Sequence, residues 1–350
     1  MEVNRGFAMM RKEKTSRGKS SMEPTVINAV SKYRQTDDIL KKMTEKALGK
    51  KISHYTAKEL AGGLCNAVYL LEAEQQKFVI KIAPAPEVKI MRHEKDILNT
   101  EANMLKLLEE KTTVRAPRLL AYDESCTLCN SPYMIMTFME GTSLATINPR
   151  PEEQSIGQMR RDIGRFCLEM SKLKAKQFGI PAMPETYRKE NCDFILLLFQ
   201  MLLQDAKEKE IEIPAVTGEE LLSLIESQKE ILNEAKEPCY VHTDTWDGNL
   251  MVKDNTLVGL VDFAAILYGD PLMNHDFHDF SEEPRKEFLE GFEKTSFTKH
   301  EKIRICIYKL WQQLGMIVER GYRGYDDPST YAWVLDIFKE EIAHFRKLVS

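Results

Sequence analysis

The spacing of apolar residues predicts a small sheet with inserted helices in the first part of the chain. Residues 27–47 place apolar side chains at helical spacing, and so do residues 94–110. A polar turn at residues 74–76 separates the first two of four segments that have the composition of strands. These segments are residues 60–71, 77–83, 116–122 and 132–138.

Beyond Gly141 the pattern becomes mainly helical. Helices are predicted over residues 152–178, 187–209, 218–235, 275–295, 299–320 and 330–348. The exception is residues 239–263, where a strand and a polar loop precede a hairpin that turns at Asp254-Asn255. We therefore predict an α+β protein with a small, mainly antiparallel sheet lobe and a larger helical lobe. The predicted divisions are 1–45 (basic tail and helix), 46–141 (small lobe) and 142–350 (large lobe).

Composition narrows the possible partners of this chain. Its 350 residues carry 49 basic and 54 acidic side chains, a formal charge of −5, which argues against nucleic acid as a partner. No apolar run approaches the roughly 20 residues of a membrane span. The basic residues 1–21 lack the apolar centre of a signal peptide, so a cytoplasmic location is expected, with a start at Met22 as an alternative.

The seven cysteines are scattered and odd in number, which favours free thiols in a reducing compartment. Cys126 and Cys129 have the spacing of zinc ligands. Because no second pair completes a set of four, two cysteines in a loop are the simpler interpretation.

The strongest chemical signal is a polar loop between apolar strands. It carries His242, Asp244 and Asn249, and Asp262 follows inside the next apolar strand. The predicted hairpin returns Asp262 towards Asn249, and their carboxylate and amide oxygens suit a hard cation such as Mg²⁺. Asp244 can stand beside that cation as a base that accepts a hydroxyl proton. A polar loop with Asx turns explains less, because it leaves a carboxylate in an apolar strand.

This pattern resembles the aminoglycoside phosphotransferase family, which carries H-G-D-x-x-x-x-N, a hairpin, a metal-binding Asp and then G-D-P. The matching residues are His242, Asp244, Asn249, Asp262 and Gly269-Asp270-Pro271. The resemblance extends in weaker form over roughly residues 50–320, and Thr243 departs from it, because the family usually has Gly there. It implies a two-lobed protein-kinase-like fold and a small-molecule kinase that uses ATP or GTP with Mg²⁺ to phosphorylate a hydroxyl.

Two charged residues in apolar surroundings test this resemblance in the small lobe. Lys81 interrupts a predicted strand, and Glu101 shares the apolar face of a predicted helix. A buried carboxylate needs a partner, which Lys81 supplies. In kinases this ion pair orients the lysine onto the α- and β-phosphates of the nucleotide. The alternative is a lysine on an edge strand and a glutamate at the rim of the helix face.

Gly62 and Gly63 precede the strand of Lys81, where glycines let backbone N–H groups approach phosphate. A glycine pair in a hairpin explains them equally well. Cys65 in this loop and Trp246 in the catalytic loop are also similar to residues of the fructosamine kinases, which are relatives of the same family.

The resemblance further implies that residues 137–141 link the lobes and bind the adenine edge through backbone groups. The base pocket would involve Met136 at its back, with Thr137 and Met139 in the linker. Ordinary core packing of the methionines is compatible with that role.

The acceptor is inferred from charge. Residues 270–283 are acidic and contain no Lys or Arg; the acidic residues are Asp270, Asp276, Asp279, Glu282 and Glu283. Such a patch concentrates cations, so we expect a cationic or amine-bearing acceptor near Asp276. Asp270 is expected to border the substrate site or to stabilise the catalytic segment. An alternative explanation of the acidic residues is that they lie at the N-terminus of a helix, where the helix dipole favours negative charge. A metal site at His275 and His278 is a further, less favoured interpretation of this segment.

Three other functions compete with this interpretation. A protein kinase needs an activation segment, and only eight residues separate Asp262 from Pro271. A pseudokinase scaffold has no need of the base Asp244. Fructosamine- or choline-type metabolite kinases of the same superfamily remain alternatives, because no motif selects the acceptor, the nucleotide or the oligomeric state.

Overall fold

The computed structural model describes residues 29–60, 63, 65–278, 284–324 and 328–350, which form two lobes joined near Gly141. The small lobe contains α1 (Asp37–Leu48), β1 (Tyr55–Glu59), β2 (Ala67–Ala73), β3 (Gln76–Ile82), α2 (Ile97–Lys111), β4 (Leu119–Asp123) and β5 (Tyr133–Thr137). Its five strands form one antiparallel sheet in the order β1-β2-β3-β5-β4. Lys81 therefore lies on the central strand, which excludes the edge-strand alternative.

The large lobe begins with the short strand β6 (Thr142–Ser143). Its helices are α3 (Glu153–Ser171), α4 (Asn191–Glu208), α5 (Gly218–Glu226), α6 (Lys229–Leu232), α7 (Lys286–Gly291), α8 (Lys299–Arg323) and α9 (Pro328–Val349). Its further strands are β7 (Phe178–Ile180), β8 (Met183–Arg188), β9 (Cys239–His242), β10 (Leu250–Lys253), β11 (Thr256–Leu260) and β12 (Ile266–Gly269). They form two sheets, ordered β11-β10-β6 and β8-β7-β12-β9.

Two predicted hairpins are present, and their turns explain their register. Asp254 and Asn255 adopt positive φ angles of 50° and 58°, and Glu74 and Gln75 adopt 50° and 67°. Two successive residues with positive φ match the twist of a two-residue hairpin. In the first hairpin this pairs Leu250 with Leu260 and so returns the chain to the catalytic loop.

Several predicted boundaries were wrong. The helix expected over 152–178 ends at Ser171, and β7 and β8 occupy the next stretch, where Thr186 Oγ1 accepts a hydrogen bond from Ile180 N at 2.9 Å. The helix expected over 275–295 is reduced to a 3₁₀ turn and α7 among the described residues. The helices and strands in these two stretches are short, and the spacing of apolar residues distinguishes a helix from a strand only over a longer window.

Residues 29–36, expected to be helical, instead form a non-helical segment with a turn at residues 30–31, and we call this segment the strap. Helix α1 begins only at Asp37, where acidic residues favour a helix N-terminus. Val30 N donates to Arg323 O (3.1 Å) at the end of α8. Arg34 Nε donates to Glu59 Oε2 (2.8 Å) on β1. The strap therefore joins the two lobes at a second place besides residues 137–141.

The two faces of the small sheet have different neighbours. Leu40 and Met43 of α1 pack on one face with Leu71 and Ile80. On the other face, Val79, Met136 and α2 join a core that continues into the large lobe. No described helix combines the length and the apolar character needed to cross a membrane. The basic tail, Gly62 and the acidic residues Asp279, Glu282 and Glu283 lie outside the described residues.

Candidate active site

Three charged side chains meet where the lobes face each other. Lys81 Nζ lies 2.7 and 2.9 Å from the two carboxylate oxygens of Glu101. The same ammonium lies 2.9 Å from Asp262 Oδ1. The Glu101 side chain is fully buried, whereas the Asp262 side chain is 38% exposed. One lysine is thus fixed by an internal carboxylate and shared with a carboxylate that opens to the cleft.

Burial and the ion pairs act in opposite directions on these groups. Burial lowers the pKa of Lys81, but Asp262 and Glu101 outweigh it, so the net shift is upwards. Burial raises the pKa of Glu101 to about 7, against the effect of Lys81. Burial also disfavours ionisation of Asp262, yet Lys81 lowers its pKa overall. Lys81 therefore stays charged and keeps Asp262 ionised.

The backbone around Asp262 explains how an apolar strand presents a carboxylate. Val261 N donates to Asn249 O (3.0 Å), so the hairpin returns as predicted. Asp262 then adopts a φ of 66°, a left-handed conformation that Asp tolerates better than most residues. Phe263 N donates to Glu101 Oε1 at 3.3 Å, which links this segment to α2.

Asp244 and Asn249 lie together in the catalytic loop. Asn249 Nδ2 donates to Asp244 Oδ2 at 2.8 Å and to the Asp244 carbonyl at 2.9 Å. Burial raises the pKa of Asp244 well above its usual range, and the carboxylates of Asp262 and Glu319 raise it further. A carboxyl group with a raised pKa holds an abstracted proton more readily than an ordinary aspartate, which suits a general base.

Neighbouring residues hold this loop in place. His242 is fully buried, its Nδ1 accepts from Asp244 N at 3.2 Å, and burial lowers its pKa to about 4. Neutral His242 thus braces the loop. Thr243, which departs from the family pattern, donates through Oγ1 to Ala265 O at 3.1 Å. Its hydroxyl therefore bonds the catalytic loop to the residue that precedes β12. A Cβ at Gly248 would collide with the indole of Trp246, which is 36% exposed.

An arginine network lies beneath the loop. Arg160 on α3 donates to Asp276 Oδ1 at 3.0 Å and also contacts Asp247. Asp276 further accepts from the hydroxyl of Thr245. Because Asp276 is only 4% exposed and has these partners, it does not offer the accessible carboxylate that a cationic acceptor would require. Its position fits support of the catalytic loop.

Asp270 is also committed inside the lobe. It accepts from Arg304 Nε at 2.8 Å, from the Tyr308 hydroxyl at 2.9 Å and from Leu272 N at 3.1 Å. Of the two roles expected for Asp270, these contacts favour stabilisation over bordering the substrate. His275 and His278 are joined by Gln312, at 2.9 and 3.0 Å from their Nδ1 atoms, so they form an amide-bridged pair.

The nucleotide-contacting candidates have mixed surroundings. Met136 is buried on β5, and Thr137 Oγ1 accepts from Arg118 N at 2.8 Å. Met139 follows in the linker, where its Cε would meet a Cβ placed at Gly259. Gly63 has a φ of 65°, a conformation that favours glycine, while Gly62 is not among the described residues. Burial and then Glu94 raise the pKa of Cys65 to about 12, so this thiol is protonated at neutral pH.

Sequence reasoning missed the basic residues and one carboxylate around this site. Arg160, Arg304 and Glu319 lie on long amphipathic helices, where single charges read as solvent-facing. The sequence did contain one indication. Arg304 lies on the same helix face as Tyr308 and Trp311, with Ile307 nearby, so this face is otherwise largely apolar. A charge on an apolar face requires a partner, as for Glu101.

Comparisons with known proteins show the family and the fold of this chain. A model of the phosphotransferase enzyme family (APH) matches residues 56–303. A proposed fructosamine-3-kinase of Haemophilus somnus 129PT superposes with a TM-score of 0.65 at 15% identity, covering 87% of this chain and 96% of that one. A proposed aminoglycoside phosphotransferase of Ralstonia eutropha gives 0.62 at 12% identity, covering 90% and 99%. The gentamicin complex of APH(2'')-IIa gives 0.56 at 17% identity, covering 87% and 96%. The search of curated proteins found no match.

Proposed function

Because the chain belongs to the phosphotransferase enzyme family, we propose that it is a small-molecule kinase that transfers the γ-phosphate of ATP or GTP to a hydroxyl group. The observation that carries this proposal is the contact of Lys81 with both Glu101 and Asp262, close to the Asp244–Asn249 pair. Solved relatives include the streptomycin–ATP complex of APH(2'')-IIa and a GDP complex of an aminoglycoside 2'-phosphotransferase.

The residues fit a magnesium ion, which the family uses with its nucleotide. Asp262 supplies an accessible carboxylate, and Asn249 directs its amide nitrogen at Asp244, which frees its amide oxygen for another partner. Oxygen ligands of this kind suit Mg²⁺, and Asp262 and Asn249 would hold it. When bound, the ion neutralises charge on the phosphate oxygens.

Each side chain then has a distinct task. Lys81, fixed by Glu101, binds the α- and β-phosphates. Asp244 accepts the proton of the acceptor hydroxyl while the hydroxyl oxygen forms a bond to the γ-phosphorus. The bond from the γ-phosphorus to the oxygen that bridges it to the β-phosphorus breaks, and ADP or GDP is released. Gly62, Gly63, Met136, Thr137 and Met139 are proposed to surround the phosphates and the base.

We propose an amine-bearing hydroxyl compound as the acceptor, as in the gentamicin and fructosamine-kinase relatives. Asp276 and Asp270 are assigned supporting roles because both are buried and paired. We propose Glu319, a partly buried carboxylate of α8 whose charge helps to raise the pKa of Asp244, in place of Asp276 as the acidic group that attracts the acceptor. The exposed indole of Trp246 provides an aromatic face that attracts a cation. No nucleic-acid or membrane partner enters this proposal, and a cytoplasmic location remains a prediction.

The test is a screen of hydroxyl compounds for acceptor-dependent release of ADP or GDP. Aminoglycosides, ketosamines, choline-like alcohols and neutral sugars form the panel, each assayed with and without Mg²⁺. Asp244→Asn should lower turnover roughly 10²–10⁴-fold and still bind nucleotide. Asp254→Asn, in the exposed hairpin turn, is the matched control. Nucleotide binding without any acceptor-dependent turnover would instead support a pseudokinase scaffold.

A further inference from the structure

Three potential metal ligands converge where α8 packs on α9, outside the active site. Cys306 lies on α8, and Glu341 and His344 are three residues apart on α9. Cys306 Sγ lies 3.0 Å from Glu341 Oε1, and His344 Nδ1 lies 3.2 Å from the same oxygen. The three ligand atoms lie within 4.8 Å of one another.

We propose that Cys306, Glu341 and His344 bind a zinc ion that joins the last two helices. A thiolate, an imidazole and a carboxylate form a donor set that a borderline ion such as Zn²⁺ accepts. Tetrahedral ligands of one zinc ion are separated by about 3.3–3.6 Å, given zinc–ligand distances of about 2.0–2.3 Å. The separations of Glu341 Oε1 from Cys306 Sγ, 3.0 Å, and from His344 Nδ1, 3.2 Å, are close to these values, and the third pair lies within 4.8 Å.

The second oxygen of Glu341 has its own partner. Lys309 Nζ lies 3.0 Å from Glu341 Oε2, so the ammonium fixes the carboxylate while Oε1 faces the thiol and the imidazole. Such a partner behind a ligating carboxylate is a regular feature of metal sites, because it sets the ligand's orientation. Lys309 therefore belongs to the site as a positioning residue.

Burial distinguishes the inner side of this cluster from its outer side. Cys306 and Glu341 are buried, whereas the His344 side chain is 59% exposed. The ion would reach the site past His344, and water can supply a fourth ligand on that side. Binding forms a zinc–sulfur bond as the S–H bond breaks, and the proton passes to solvent, so no oxidation or reduction is involved.

The cluster is separate from the phosphoryl-transfer chemistry. Arg304 and Tyr308, which flank Cys306 by two residues on either side, face Asp270. Two positions along a helix correspond to a rotation of about 200°, so Cys306 faces away from Asp270 and towards α9. The alternative is a plain hydrogen bond from the thiol to the carboxylate, with His344 as a surface residue.

The experiment uses the full chain after treatment with a chelator, in buffer with saturating Mg²⁺ to occupy oxygen-only sites. Zn²⁺ is titrated against a chromophoric chelator, and Co²⁺ is titrated by absorption spectroscopy. We expect one equivalent to bind and the cobalt form to show a thiolate-to-metal charge-transfer band. His344→Gln, at an exposed position that should not disturb folding, is expected to weaken binding at least tenfold, and Cys306→Ser to abolish the band.

His300→Gln is the matched control. His300 lies on α8, and like His344 it is a half-exposed histidine beside a glutamate, in this case Glu234. Cys126→Ser controls for the exposed thiol. Both should bind zinc as the unaltered protein does, and bound zinc should raise the melting temperature of these proteins but not of the His344→Gln variant. No stoichiometric binding, a cobalt spectrum without the sulfur band, or unchanged affinity in both ligand variants would each overturn the proposal.

Discussion

Two sets of carboxylates with cationic partners occupy different parts of this protein. In the cleft, Lys81 is shared between Glu101 and Asp262, and Asp262 remains 38% exposed. Inside the large lobe, Arg304 pairs with Asp270, and Arg160 with Asp276, with each carboxylate side chain only 5% exposed. Arginine's planar fork fixes its partners, whereas a lysine ammonium can exchange one anion for another. The cleft set is therefore suited to meeting a substrate, and the lobe set to maintaining shape.

The largest expected effect follows from removing the exposed member of the cleft set. Asp262→Asn should lower turnover by roughly 10³-fold or more, because cation-assisted charge neutralisation contributes several kcal/mol to phosphoryl transfer. The free energy of unfolding, measured in urea, should change little, since the carboxylate is partly solvated. Near-normal turnover by this variant would remove Asp262 from the active site and erase the contrast with the lobe set.

The opposite outcome is expected for Asp270→Asn. This substitution leaves the Arg304 guanidinium without its buried carboxylate and should cost about 3–5 kcal/mol of folding free energy. Asp336→Asn, which breaks an exposed pair with Lys339, should cost less than about 1 kcal/mol. Urea unfolding of the three proteins decides the matter. A stable Asp270 variant with lost turnover would place Asp270 with the cleft set.

Arg160 tests whether the lobe set acts on the catalytic loop. Arg160→Met removes the guanidinium that joins Asp247 to Asp276, so kcat should fall roughly 10–100-fold through misplacement of Asp244, while the KM for nucleotide stays close to its original value. Arg160→Lys should not restore kcat, because one ammonium cannot bridge both carboxylates. Rescue by lysine would show that charge alone is required. Steady-state kinetics with an identified acceptor provides the measurement.

The smallest effect concerns Asp244 and protons. The pKa of Asp244 is higher in the native state than in the unfolded chain, so the native state holds this proton more tightly. The contribution of the group to stability is present below the unfolded pKa and is lost as the pH rises through the native pKa. Asp244→Asn should therefore melt at a higher temperature than the unaltered protein at pH 7. The acid limb of kcat/KM should also lie above the pKa of an ordinary aspartate. A lower melting temperature would contradict the raised pKa.

The sequence was informative where one residue contradicted its surroundings. Lys81 in a strand, Glu101 on an apolar helix face and Asp262 in an apolar strand were each anomalous, and the fold brings these three together. The two-lobed architecture followed from the change in periodicity at Gly141 and is confirmed by the structural relatives.

The rest depended on contacts that no local pattern encodes. Asp276 was assigned to the acceptor because its neighbours in the sequence are acidic, yet its partner Arg160 comes from a helix more than 100 positions earlier. The short strands β7 and β12 were missed because each carries only three or four residues and because they pair with each other across almost 90 positions, Gly179 with Tyr268. Charge patterns along the chain describe composition, whereas pairing across the fold decides which charges reach a ligand.

The strap has a mechanical consequence for the cleft. The chain passes between the lobes at residues 137–141, at the end of β5, and the strap contacts both β1 and the end of α8. Because the strap contacts both lobes away from residues 137–141, the lobes cannot rotate freely about that connection. Wide separation of the lobes must therefore break the hydrogen bond from Val30 N to Arg323 O or pull the strap from the small lobe, where Arg34 contacts Glu59. The strap lies before residue 56, where the family match begins, and it limits how far the cleft can open while both contacts hold.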